Sequence, residues 1–130
     1  MTTKLHHVAC QTDNFEKALR FYTELFELKL IKKPYQYKER LLCLIDAESA
    51  IIELYTVKSS DTPTPNEMNG VGPHHIAFTV DDLDMFIRRC YEFRIRVIKE
   101  PFIPPSGDAA QKRIAFIEGP DSEEVEVREL

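Results

Sequence analysis

Residues 4–12 alternate apolar with polar side chains and are rich in β-formers, a pattern that predicts a strand. Asp13 and Asn14 follow as candidate helix N-caps, with Glu16 three residues after Asp13 in capping-box spacing. Phe15, Ala18, Leu19, Tyr22 and Phe26 then recur at helical spacing and predict an amphipathic helix of about three turns. Strands are expected at 28–35, 39–46 and 49–57, with Asp46-Ala47-Glu48-Ser49 as the turn between the last two. This half therefore reads β-α-β-β-β. Lys58 to Pro73, rich in Ser, Thr, Pro, Asn and Gly, reads as a connector. The same order then returns. His75 opens a strand that runs to Val80, and Asp81 or Asp82 caps a helix with the apolar stripe Leu83, Phe86, Ile87 and Cys90. Strands follow near 94–100, 111–118 and 123–129, the last two joined by a turn at Gly119-Pro120-Asp121-Ser122.

The recurrence extends to the residues themselves. LHHVACQTDNFEKALRFY begins at Leu5 and PHHIAFTVDDLDMFIRRCY at Pro73. Laying His7 on His75 sets an offset of 68 residues (75 − 7). It brings Val8 onto Ile76, Ala9 onto Ala77, Asp13 onto Asp81 and Arg20 onto Arg88. Each half ends in a strand-like run with an acid among aliphatics, Glu53 in IIELY and Glu126 in EVEVRE. The glutamates are offset by 73 residues (126 − 53), so extra chain enters the second half. PFIPPSGDAA, residues 101–110, has no counterpart in the first half and is where that chain fits, as a lid, a rim or a passive loop. The expected fold class is α+β, a single domain of two βαβββ modules: 1–57, a connector over 58–73, and 74–130.

The repeat also carries chemistry. Glu53 lies between Ile52 and Leu54, and Glu126 between Val125 and Val127. An isolated buried carboxylate costs several kcal/mol or is neutralised. A divalent cation removes that cost, and two carboxylates with two neutral imidazoles balance its charge. His7, Glu53, His75 and Glu126 are therefore the candidate metal ligands. Imidazole with carboxylate suits Zn, Ni, Fe, Mn or Co as the divalent ion, and four protein ligands on an octahedral ion leave positions for water or substrate oxygens. His6 and His74 alternate with their neighbours and are read as non-ligands with structural or surface roles. Glu123, Glu124 and Glu129 compete with Glu126, and Glu124 would share its face. Glu48, Glu118 and Asp121 fall in turns. Cys10, Cys43 and Cys90 sit in apolar patterns without a CxxC and read as reduced structural thiols, with Cys10 on the face opposite His7.

Composition narrows the partners. A net charge of −5 disfavours nucleic acid. The basic residues Lys29, Lys32, Lys33, Lys38 and Arg40 alternate in strand fashion and read as a solvated face, with an anionic substrate tail as a weaker alternative. No apolar run approaches the ~20 residues of a membrane helix, and MTTKLHHVAC has no apolar signal core, so a cytoplasmic location is expected. There is no GxGxxG, P-loop, GxSxG or HExxH, and four glycines do not make a phosphate cradle.

HHVACQTDNFEKALRFYTELFELKL resembles the opening of glyoxalase/bleomycin-resistance/dioxygenase proteins, the vicinal oxygen chelate superfamily. The resemblance continues through IIELY, GPHHIAFTVDDLD and GPDSEEVEV and covers nearly the whole chain. It implies curved mixed sheets that enclose a metal, with His7, Glu53, His75 and Glu126 matching the ligands of glyoxalase I-type members. It further implies a lyase or isomerase acting on a small vicinal-oxygen substrate through an enediolate, with Glu126 as the base and Glu53 as the second candidate. Homodimers are common in the family. Two departures weaken glutathione recognition: Gln11 stands where many glutathione-using members carry Arg, and Val57 where they often carry Asn. The alternatives are a methylmalonyl-CoA epimerase-like enzyme and a metal-free drug-binding protein of the same fold. An extradiol dioxygenase typically uses two His and one Glu, and the further carboxylate here would crowd the oxygen position.

Overall fold

A strand that opens each half and a strand that closes it lie side by side and run parallel. In the first half these are β1 (His7–Thr12) and β4 (Ile51–Thr56); in the second, β5 (Ile76–Val80) and β8 (Glu124–Glu129). A parallel pair needs a long crossover. In the first half α1 (Phe15–Arg20), a π-helical continuation (Phe21–Leu25), β2 (Lys29–Tyr37) and β3 (Arg40–Asp46) provide it. In the second it is α2 (Leu83–Glu92), β6 (Val97–Phe102) and β7 (Ile114–Glu118). The sheet orders are β1-β4-β3-β2 and β5-β8-β7-β6, both mixed. The expected α+β class with two βαβββ modules is what this computed structural model contains. It describes residues 1–57, 71–105 and 111–130, which divide into two units, Met1–Thr62 and Pro63–Leu130. Most of the expected connector, 58–73, and part of the expected lid or rim, 101–110, lie outside the described residues; Pro101 and Phe102 belong to β6.

Strand alternation divides each sheet into two faces. In the first module Cys43, Ile45, Ile52 and Leu54 are buried on the helix side, together with Ala18, Phe21, Tyr22 and Leu25 of the helix. In the second, Ala115, Ile117, Val125 and Val127 play that part with Leu83, Phe86, Ile87 and Cys90. Cys10 is paired with Leu54 and so lies on the helix side, away from His7. Burial pushes the Cys43 thiol up to about 11 and the Cys90 thiol up to about 12, so both stay protonated and unreactive at neutral pH.

Local details refine the expectations. The first cap is Asn14, whose Oδ1 accepts the Lys17 amide at 3.1 Å, rather than Asp13. Its equivalent is Asp82, accepting the Met85 amide at 2.9 Å. Both strands that open the halves start later than the alternation suggests, β1 at His7 and β5 at Ile76. The first helix does not stay α-helical. The Thr23 hydroxyl donates to the Leu19 carbonyl at 2.7 Å and competes with the backbone for it, and Phe26 N–H reaches back to Phe21 O, 3.3 Å. The turn at Gly119–Ser122 forms as expected, with Gly119 N–H donating to Glu123 O, but the left-handed residue is Ser122 (φ 69°), not the glycine. Among the described residues no helix is long and apolar enough to cross a membrane.

The registers locate the inserted chain. Lys32 pairs with Leu44 and Lys99 with Phe116, an offset of 67 in the outer strands (99 − 32) and 72 in the next (116 − 44). The five residues are therefore added between β6 and β7, as the glutamate spacing predicts. Both outer strands carry register shifts at the same two places, flanking Lys32 and Lys99. Beside that loop, Arg113 clamps two elements. Its guanidinium donates to both carboxylate oxygens of Asp84 at the start of α2 (3.1 Å each) and to both of Glu129 at the end of β8 (3.1 and 2.7 Å).

Replacing either cap, Asn14→Ala or Asp82→Ala, should lower the unfolding free energy by about 1 kcal/mol, read from denaturant midpoints. The Arg113 bonds hold the Asp84 and Glu129 carboxyls below their usual range. Depressed folded-state values contribute stability that is present above the ordinary carboxylate range and is lost as pH falls through the folded values. Arg113→Met should therefore lower Tm near pH 7, and the gap to wild type should close below roughly pH 4. A gap independent of pH would mean that the clamp contributes through packing alone.

Candidate metal centre

Ile52 and Leu54 must face the helix, so Glu53 between them faces away from it. The same holds for Glu126 between Val125 and Val127. The two glutamates occupy one register position in their sheets. Glu53 lies opposite Ala9 on one side and Leu44 on the other; Glu126 lies opposite Ala77 and Phe116. The neighbour toward the opening strand is alanine, a small side chain, in both modules. The difference in offset between the histidines and the glutamates thus disappears once the strands are paired.

The histidines flank these positions. His7 is the first residue of β1, paired with Ile51, on the same face as Glu53 and exposed. His75 immediately precedes β5, and its Nε2 stands 3.9 Å from Glu126 Oε1. That is a contact rather than a hydrogen bond, and it is less than twice the ~2.1 Å of a nitrogen or oxygen bond to a divalent ion. The pair thus fits such an ion in donor chemistry and in spacing. The Glu126 side chain is 12% exposed, and its other oxygen, Oε2, lies 3.4 Å from the Arg128 guanidinium. Among the described residues no three His, Cys, Asp or Glu side chains converge closely enough to hold a metal. What converges is the His75–Glu126 pair; His7 and Glu53 share a face two register positions apart.

The competing acids are otherwise engaged. Glu129 is bound by Arg113, and the Glu123 carboxylate accepts the Asp121 amide while burial holds its pKa up. Glu48 and Asp121 lie in or next to turns. Glu118 and Glu124 face each other across β7 and β8, and Glu124 Oε2 comes within 3.8 Å of His74 Nδ1.

Three features escaped the sequence reading. Arg128 sits two residues after Glu126, hence on its face, where the first module carries Tyr55; the EVEVRE run already contained that signal. An aromatic row leads to the pair: Phe116 meets the His75 ring edge-on (5.8 Å, 82°), Phe102 stacks on Phe116 (6.5 Å, 28°), and Lys99 Nζ lies 3.8 Å over Phe102. The third concerns His6 and His74. Neither lies within a strand, so alternation does not separate them from their neighbours. His6 Nδ1 lies 2.9 Å from His7 Nδ1, and His74 Nδ1 lies 3.0 Å from His75 Nδ1.

Comparison with known proteins bears on the fold. Residues 4–127 match the model of the Glyoxalase/Bleomycin resistance protein/Dioxygenase superfamily. An uncharacterized protein of Bacillus subtilis (strain 168), YwkD, is 29% identical over 96% of this chain and 95% of its own. A glyoxalase family protein from Enterococcus faecalis superimposes with a TM-score of 0.74 at 22% identity, covering 97% of each chain. A lactoylglutathione lyase from Agrobacterium tumefaciens gives 0.68 at 22% identity, over 98% of this chain and 94% of that one. With duplicated βαβββ modules, matched glutamate positions and a family match over nearly its full length, the chain belongs to the glyoxalase/bleomycin resistance protein/dioxygenase superfamily.

Proposed function

We propose that this protein is a metal-dependent lyase or isomerase of glyoxalase I type acting on a small vicinal-oxygen substrate. The observation that carries the reading is the identical register of Glu53 and Glu126, one carboxylate per module on the face away from the helix, the second with an imidazole nitrogen 3.9 Å away. His7, Glu53, His75 and Glu126 are the residues that would hold a divalent ion: Zn, Ni, Fe, Mn or Co. Such an ion would supply positive charge beside two adjacent substrate oxygens, where an enediolate develops. Glu126 moves the substrate proton, and Glu53 is the second candidate for that role. Arg128 Nη1, 3.4 Å from Glu126 Oε2, holds one carboxylate oxygen and leaves the other toward His75. The Phe102–Phe116 row offers an apolar floor next to the polar pair, the mixture a small-molecule site needs.

Gln11 and Val57 speak against glutathione as the thiol. The second reading is an epimerase of the methylmalonyl-CoA kind, which shares the fold and the proton abstraction. A homodimer in the cytoplasm remains part of the proposal, as in the sequence reading.

Protein purified without chelator should carry divalent metal by elemental mass spectrometry. Chelation should abolish turnover of 2-oxoaldehyde–thiol adducts, and added Ni or Zn should restore it. Glu126→Gln should reduce turnover by about 10²- to 10⁴-fold, the range for loss of a general base. Solvent deuterium entering the substrate without lyase product would move the assignment to the epimerase. A protein that takes up none of these metals yet binds small molecules would make it a metal-free binder.

A further inference from the structure

Each candidate ligand histidine follows a second histidine, and in both modules the two rings meet in the same way. The Nδ1–Nδ1 distances are 2.9 and 3.0 Å, and the rings stand nearly perpendicular, at 86° and 88°. Two nitrogens at this distance share one proton, so one ring donates and the other accepts. The flanking residues differ, Leu5 and Val8 in one copy, Pro73 and Ile76 in the other. A geometry that survives that divergence is set by the paired rings and the backbone at the strand start. In the second module the arrangement has a visible result. With Nδ1 of His75 turned to His74, its Nε2 is the atom directed at Glu126.

We propose that His6 and His74 are positioning residues: each accepts at Nδ1 the Nδ1–H of the next histidine and so keeps the Nε2 lone pair of His7 and His75 available for ligation. The proposal rests on the metal-site reading of these two histidines, but not on the reaction assigned to it. The physical argument is that the nitrogen of an imidazole that binds metal is fixed by the hydrogen bond the other nitrogen makes. If the bond ran the other way, His7 and His75 would carry their proton on Nε2 and could not ligate through it. Glu124 Oε2, 3.8 Å from His74 Nδ1, and Glu126 Oε1, 3.9 Å from His75 Nε2, are the carboxylates that favour that opposite polarity. At these distances neither makes a hydrogen bond, whereas the two Nδ1 atoms do at 3.0 Å. His6 and His74 touch no substrate in this scheme; they act through their neighbours.

The test compares wild type with His6→Ala/His74→Ala and with His6→Asn/His74→Asn, whose amide oxygen can take the place of Nδ1 as acceptor. Long-range ¹H–¹⁵N spectra of the metal-free full-length protein read the tautomers of His7 and His75, and competition with a chromophoric chelator reads affinity for Zn²⁺ alone. Wild type should hold both histidines as the Nδ1–H form. The alanine variant should shift them toward Nε2–H and bind Zn²⁺ about 10- to 100-fold more weakly, and the asparagine variant should recover most of both losses. Nε2–H tautomers in wild type, or tautomers unchanged in the alanine variant, would overturn the proposal. Wild-type protein that binds no Zn²⁺ would refute the metal reading of the site, while the tautomers would still decide whether the leading histidines set their neighbours.

Discussion

The parallel pairing of the opening and closing strands is the constraint on which each module depends. A slip of one residue in that pairing would turn Ile52 and Leu54, or Val125 and Val127, away from the helix. Each of these side chains contributes on the order of 1.5–3 kcal/mol when buried, so the register is held by several such terms at once. The glutamate between them has no choice of face. The site is thus carried by the core: the aliphatic residues hold the carboxylate outward more firmly than any contact it makes itself.

Much of this was legible in the chain. Alternation and helical spacing gave the element order, and the repeat gave the duplication, because both follow from burying one face of each element. Where the reading missed, a local hydrogen bond was responsible. The Thr23 hydroxyl converts the last part of the first helix to π-geometry without altering the apolar stripe from which the helix was read, and the Asn14 bond to the Lys17 amide decides between the two cap candidates. The glutamates as a matched pair, and the place of the added residues, were visible in the sequence; their identical register needed the strand pairing. The paired rings of His6–His7 and His74–His75 were hidden for another reason. Alternation is a rule for residues inside strands, and these pairs sit where strands begin.

The two modules have kept their frame while their faces diverged. Tyr55, stacked under Arg40 and contacted by Gln11, holds the position that Arg128 holds in the second module. Leu44 faces the first glutamate where Phe116 faces the second. Among the described residues, the second module alone surrounds its carboxylate with an imidazole, a guanidinium and an aromatic ring. That asymmetry supports the proposal of Glu126 as the base, with Glu53 as the second candidate.

The outer strands of the two sheets share a device as well. KKPY in β2 and KEPF in β6 align under the 67-residue offset, each with a lysine ammonium over the aromatic ring, 4.0 Å in the first and 3.8 Å in the second, and each with a proline between them. Proline has no N–H to offer, the register shifts on both sides of the lysine bend the ladder, and the charge resists stacking against another chain. Each sheet thus has one terminal strand, β2 or β6, that makes a poor template for a further strand. Duplication of such a module copies its margins into one polypeptide twice over, and the outer strands β2 and β6 carry their resistance to recruitment with them.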